Sequence, residues 1–168
     1  MTKHMFVLGI DPGLTTTGYA LVAGASSGER AVAAGVVRTA AGMPVERRLL
    51  ELYRDLTAIV ADHRPDAAAI ERVFVNRNLQ TATGVLRASG VALLVLAEAG
   101  IPVAEYTPSG VKKALVGSGD APKAQVQRVL EMRLGLGAAP RPADASDALA
   151  IALCHLQHLP AIRRGVLR

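Results

Sequence analysis

Asp11 closes the run VLGID and Glu71 closes the run AAAIE, so two apolar segments that read as buried strands each end on a carboxylate. Asp144 and Asp147, three residues apart in ADASDALAIALCHL, share one face of a helix. Singly, each acid has an ordinary explanation. The strand-end acids suit turns or caps, and the helix pair suits an N-cap and the third-position acid of a capping box. Caps face water, however, whereas the nearly all-apolar stretch that follows requires this helix start to lie against the domain. Ligands of open α/β sheets bind at the carboxyl ends of the strands. If the helix start meets those ends, four carboxylates converge. Clustered carboxylates raise one another's pKa, and hard divalent cations with oxygen ligands relieve the repulsion. Two such ions about 3.5 to 4 Å apart are the usual device for phosphodiester hydrolysis, one activating water and the other stabilising the leaving oxyanion. No zinc arrangement competes, because His155 and His158 have only Cys154 beside them and no second cluster.

The elements needed to position these acids follow from hydrophobic period and turn residues. Strands are predicted over residues 5–10, 18–23 and 30–39, the last two separated by the turn-like GASSGE, and this succession suggests an antiparallel meander. A helix over 44–63 places Val45, Leu49, Leu52, Leu56, Ile59 and Val60 at helical spacing, and a short buried strand covers 66–70. A long helix over 79–99, a fifth strand over 101–106 and helices near 108–116, 122–134 and 143–159 complete the order. Pro108, Pro122 and Pro142 all stand near helix starts, where a missing N–H does little harm. The expected class is α/β, a mixed sheet with helices on its faces.

With 168 residues, 51% of them hydrophobic, the chain suits one domain over 1–168, with short flexible ends at about 1–4 and 160–168. No uninterrupted apolar run approaches the roughly 18 residues of a membrane span and no signal-peptide pattern is visible, so a cytoplasmic protein is expected. Cys154, the sole cysteine, excludes an intramolecular disulfide and reads as a small buried side chain. The net charge of +5 and pI of about 9.9 invite a polyanion. Residues 1–75 carry 8 basic and 8 acidic side chains, whereas 76–168 carry 11 and 6, so the whole excess lies in the second half. A basic protein with a carboxylate metal site reads as a nuclease.

The segments LGIDPGLTTTGYA, AAIERVFVNRN, EYTPSGVKKALVGSGDAPKAQVQ and ADASDALAIA, in that order, resemble the RuvC family of crossover junction endodeoxyribonucleases, within the ribonuclease H-like superfamily. The resemblance implies a ribonuclease H-like five-stranded mixed sheet and symmetric, metal-dependent nicking of Holliday junctions. Asp11, Glu71, Asp144 and Asp147 match the family's four catalytic, metal-binding acids, with two Mg²⁺ or Mn²⁺ ions per subunit implied. Lys112, with Lys113 beside it, and Lys123 match lysines that contact the DNA backbone or assist catalysis. Residue type alone leaves Phe74 open between core and surface; the resemblance makes it a base-stacking wedge. Asn76, Arg77 and Asn78 stand in a polar loop able to touch bases. This loop departs from several relatives, so no cleavage sequence is carried over.

Rival readings are weaker. The turn PGLTTTG also resembles a phosphate loop of actin-like and sugar-kinase ATPases, but those need two lobes and a second loop. Another ribonuclease H-like nuclease would share the opening strand and Asp-Pro-Gly without ERVF and the paired final aspartates. A non-catalytic junction-binding module would need the basic surface but not the acids. A four-way junction offers two equivalent strands, which suits a two-fold symmetric homodimer. The helix over 79–99 is apolar nearly all round, which predicts burial on two sides, with Leu79, Ala82, Leu86, Leu93 and Leu96 or Ala97 along one face. The resemblance further implies RuvA and RuvB as partners.

Overall fold

A computed structural model describes residues 4–74 and 79–163, with side chains as far as Pro160. Three strands come first, β1 (Met5–Asp11), β2 (Thr16–Ala25) and β3 (Gly28–Arg38). β2 begins earlier than expected because Thr16 and Thr17, β-branched and at home on a pleated surface, pair with Arg38 and Val37. The turn is also tighter than GASSGE suggested: only Ser26 and Ser27 separate the strands. Gly28, at φ 124°, supplies a conformation that a side chain would oppose.

Helix α1 (Val45–His63) follows, then β4 (Ala67–Glu71), α2 (Leu79–Glu98), β5 (Val103–Tyr106), α3 (Pro108–Val116), α4 (Lys123–Leu134) and α5 (Ala143–Arg163). The strands form one five-stranded sheet in the order β3-β2-β1-β4-β5. β1 and β2, and β2 and β3, run antiparallel, while β1 and β4, and β4 and β5, run parallel. α5 continues through Pro160 rather than ending near Leu159. Proline forfeits one backbone bond inside a helix, and here that loss falls in the last turn.

Alternation along the strands separates two cores. Leu8, Ile10, Leu21 and Ile70 face a cluster with Leu52, Leu56 and Val60 of α1 and Ala92, Val95 and Leu96 of α2. The other face turns Val7, Ala20, Val22 and Ala69 toward α3, α4 and α5. On this second face helix and sheet meet backbone to backbone. A Cβ on Gly9 would fall 2.1 Å from the Ala148 carbonyl oxygen, and one on Gly18 would fall 2.0 Å from that of Asp144. Two glycines, with Ala145, Ala148 and Ala152 opposite them at no more than 1% exposure, let α5 lie directly on β1 and β2.

α2 differs from its expected pattern. Ala82, Ala88, Ala92, Val95 and Leu96 are buried, while Leu79, Leu86 and Leu94 stand 70%, 46% and 53% exposed. The expected stripe is therefore divided, with Ala82 and Leu96 inward and Leu79 and Leu86 outward. By length and composition α2 would suffice to cross a membrane. Its inner side belongs to the α1 core, and its outer side is an unusually apolar surface.

Candidate active site

Register places the first two acids. Ile10 of β1 pairs with Ile70 of β4 in parallel, so Asp11 and Glu71 are the next residues on adjacent strands, on the face that carries α5. On its other side Asp11 pairs with Gly18, the residue against which the Asp144 backbone rests. A bare glycine thus brings strand end and helix start together. Asp144 and Asp147 occupy the opening turns of α5, and all four acids are partly buried. The capping-box reading does not hold in its expected form: Asp144 lies inside the first turn and Asp147 is bonded to Lys123.

The electrostatics record the crowding. Asp11 is pushed up to about 8, first by burial, then by the charges of Glu71 and Asp147, a hydrogen bond with Glu71, and Asp144. Glu71 is also raised, chiefly by burial, against the lowering effects of its bond to Asp11 and of Lys123. Without a cation, burial and the neighbouring carboxylates therefore favour a proton on the Asp11–Glu71 pair. Lys123 donates from Nζ to Asp147 Oδ2 at 2.8 Å, so a proton and an ammonium supply the compensating charge. Among the described residues no three Asp, Glu, His or Cys side chains close around a common point in the manner of a metal site. Asp147 is instead drawn to Lys123. An all-oxygen donor set with two carboxylates held above their ordinary range fits a hard divalent cation, which would replace both stand-ins.

Beside the acids lies a cleft of about 230 Å³ lined by Glu71, Lys112, Val111, Lys123, Asp147 and Ile151. Lys112 reaches it because the chain reverses sharply after β5. Tyr106 pairs with Glu71, then Thr107 caps α3 by accepting from the Gly110 N–H at 3.0 Å, with Pro108 in the first turn. Lys113, one residue on, is exposed and is not among the lining residues. Tyr106 Oη and His155 Nδ1 share a hydrogen bond of 2.8 Å, which ties α5 to β5. Burial, then the neighbouring His158, lowers His155 to about 4, so its ring is neutral in that bond. Burial pushes the Cys154 thiol up to about 12, in keeping with a plain core side chain.

Phe74 is 55% exposed and lines a second cleft with Glu71, Thr81 and Val85. It is a surface aromatic beside the acids and not part of the core. Asn76, Arg77 and Asn78 lie outside the described residues. Two features escaped sequence reasoning. Gly9 and Gly18 seat α5, and a glycine within a strand run is a recognised sign of close backbone approach. Arg48 is buried at 9% exposure and falls in step with Leu52, Leu56 and Val60, a cation on an apolar stripe.

Comparison with known proteins agrees with this geometry. Residues 7–155 match the family described as Crossover junction endodeoxyribonuclease RuvC. A protein of that name from Chloroflexus aurantiacus is 49% identical over 160 residues, covering 95% of this chain and 98% of the relative. The one from Salinispora arenicola is 53% identical over 153 residues, covering 90% and 87%. The structure of Thermus thermophilus RuvC in complex with a Holliday junction substrate superposes with a TM-score of 0.88 at 38% identity, covering 96% of this chain and 97% of that one.

Proposed function

Since the chain belongs to the RuvC family of crossover junction endodeoxyribonucleases, we propose that Asp11, Glu71, Asp144 and Asp147 form the centre with which it cuts Holliday junctions in DNA recombination and repair. The observation that carries this reading is the convergence of Asp11 and Glu71, at the ends of two parallel strands, with the acids of α5, whose start rests on Gly18 beside Asp11. Two divalent cations, Mg²⁺ or Mn²⁺, would supply there the charge that activates water and stabilises the leaving oxyanion. The chain's own residues do the rest. The four carboxylates, once ionised, would hold these cations. Water oxygen bonds to phosphorus, the P–O3′ bond breaks, and the departing oxygen takes a proton, leaving a 5′-phosphate and a 3′-hydroxyl. Lys123, freed from Asp147, and Lys112 across the cleft bind backbone oxygens. Phe74 stacks on an unpaired base, with Asn76, Arg77, Asn78 and Lys113 as further DNA contacts.

One centre makes one nick, so paired cuts call for two subunits. The exposed leucines of α2 support a homodimer, in which a second copy rather than lipid covers that surface. RuvA and RuvB are the partners this reading implies, and a chromosomal substrate favours the cytoplasm.

The test is incubation of purified protein with a synthetic four-way junction and a matched linear duplex, in EDTA, Mg²⁺ or Mn²⁺, beside Asp11→Asn. Paired nicks confined to the junction are expected with metal alone, and their rate should fall on the order of 10³-fold or more in the variant. Tight junction binding with no cleavage under any metal would instead identify a binding module.

A further inference from the structure

A cleft of about 460 Å³ opens on the Asp144 side of the acids, away from Lys112 and Lys123, lined by Thr15, Thr16, Arg48, Gln80, Thr81 and Asp144. Arg48 is its unusual member. Its Nε donates to Thr39 Oγ1 and its Nη2 to Thr15 Oγ1, both at 2.9 Å. Both acceptors are neutral hydroxyls. Among the described residues Arg48 makes no ion pair with a carboxylate. A guanidinium has five N–H donors and a permanent charge, these two bonds use two of the donors, and Asp144, the acid lining the same cleft, forms no ion pair with it among the described residues. Bracing the loop needs hydrogen bonds but no charge.

The surroundings favour an anion. Thr39 fixes the loop by donating from Oγ1 to the Leu14 carbonyl and from its backbone N–H to that of Thr15, so the guanidinium is set before any ligand arrives. The facing wall is the first turn of α2, which contains no acidic residue and lies at the electropositive end of the helix. The acids thus stand between two cation-bearing clefts, one with Lys112 and Lys123 and one with Arg48.

We infer that the Arg48 cleft is a second phosphate subsite, which takes a backbone phosphate next to the scissile one, so that the cut strand crosses the acids from one cleft to the other. The inference rests on the nuclease reading above. Arg48 offers the phosphate its fork of donors, and Thr16 and Gln80 offer neutral ones. A strand held on both sides of the acids has its scissile phosphate fixed in position as well as bound.

Gln80→Glu tests this without touching the Arg48 brace, because the position is exposed and an acid in a first turn suits the helix dipole. Arg48→Gln tests the charge itself. Both are made in the Asp11→Asn background, and junction affinity is measured against salt concentration with Mg²⁺ present. Gln80→Glu is expected to weaken binding several-fold with no loss of thermal stability. Arg48→Gln is expected to reduce the slope of log K against log salt by about one, a change that a brace alone would not produce. If Arg48→Gln fails to fold, Gln80→Glu decides. Unchanged affinity and slope, while the parent protein still cuts junctions, would overturn the subsite alone. A parent that neither binds nor cuts junctions would overturn the nuclease reading, and the subsite with it.

Discussion

The two faces of the sheet are built on opposite plans. On the α1 and α2 side, Leu8, Ile10, Leu21, Leu52, Leu56 and Leu96 fill the space between layers with branched side chains. On the α5 side, over β1 and β2, the contact is made by what is missing, Gly9 and Gly18 against Ala148, Ala152 and the Asp144 backbone. Bulk tolerates small adjustments because neighbouring side chains repack. Backbone contact does not, since neither partner has a side chain to rotate. The rigid plan is the one that carries Asp144 and Asp147, and the difference assigns stability to one face and geometry to the other.

The largest effect should come from setting the two plans against each other. Leu56→Ala, at a side chain 1% exposed, is expected to lower unfolding free energy by about 2 to 5 kcal/mol and yet leave junction cleavage per folded molecule nearly unchanged. Gly18→Ala should cost about 1 to 3 kcal/mol in overpacking, and its cleavage should fall far more than that loss explains, because α5 must lift off the strand ends. Calorimetric unfolding beside single-turnover cleavage separates the two, and equal activity losses in both variants would dissolve the distinction.

A smaller effect lies within the acid cluster. Asp11 ionises near 8 in the folded chain and near its ordinary 3.8 when unfolded, so the folded state retains the proton more firmly. Its contribution is fully present below the unfolded value and is lost as pH rises through about 8. Asp11→Asn should therefore raise the metal-free melting temperature at pH 8 to 9 and leave it nearly unchanged at pH 3.5. Melting curves in EDTA across that range check the sign. Smallest of all is the exposed Lys123–Asp147 pair, with side chains 52% and 42% exposed. Lys123→Gln should change stability by about 0 to 1 kcal/mol, so any large loss of cleavage in that variant reports on DNA rather than on folding.

Asp11 and Glu71 stood out in the sequence because a carboxylate at the end of an apolar run conflicts with its surroundings, and the order of elements along the chain followed from period and turns. The family resemblance singled out Lys112 and Lys123, both in the positive second half, and the fold brings them to one cleft. Arg48 was hidden in the neutral first half, where a charge in an amphipathic helix reads as solvated, although its four-residue spacing from Leu52 was visible. The inner and outer sides of α2 could not be separated by pattern, since an almost wholly apolar helix has little directional signal. The pairing of β1 with β4 joins distant segments, and no local rule supplies its register.

Chain order adds a consequence for biosynthesis. A ribosome releases β1 and β4 first, and the helix bearing Asp144 and Asp147 follows and docks on strands already made. A nascent or stalled chain that has not delivered residues 143–163 holds half of the carboxylates and lacks the helix that seats against Gly9 and Gly18. If those four acids form the proposed centre, cutting power arrives only once α5 has docked.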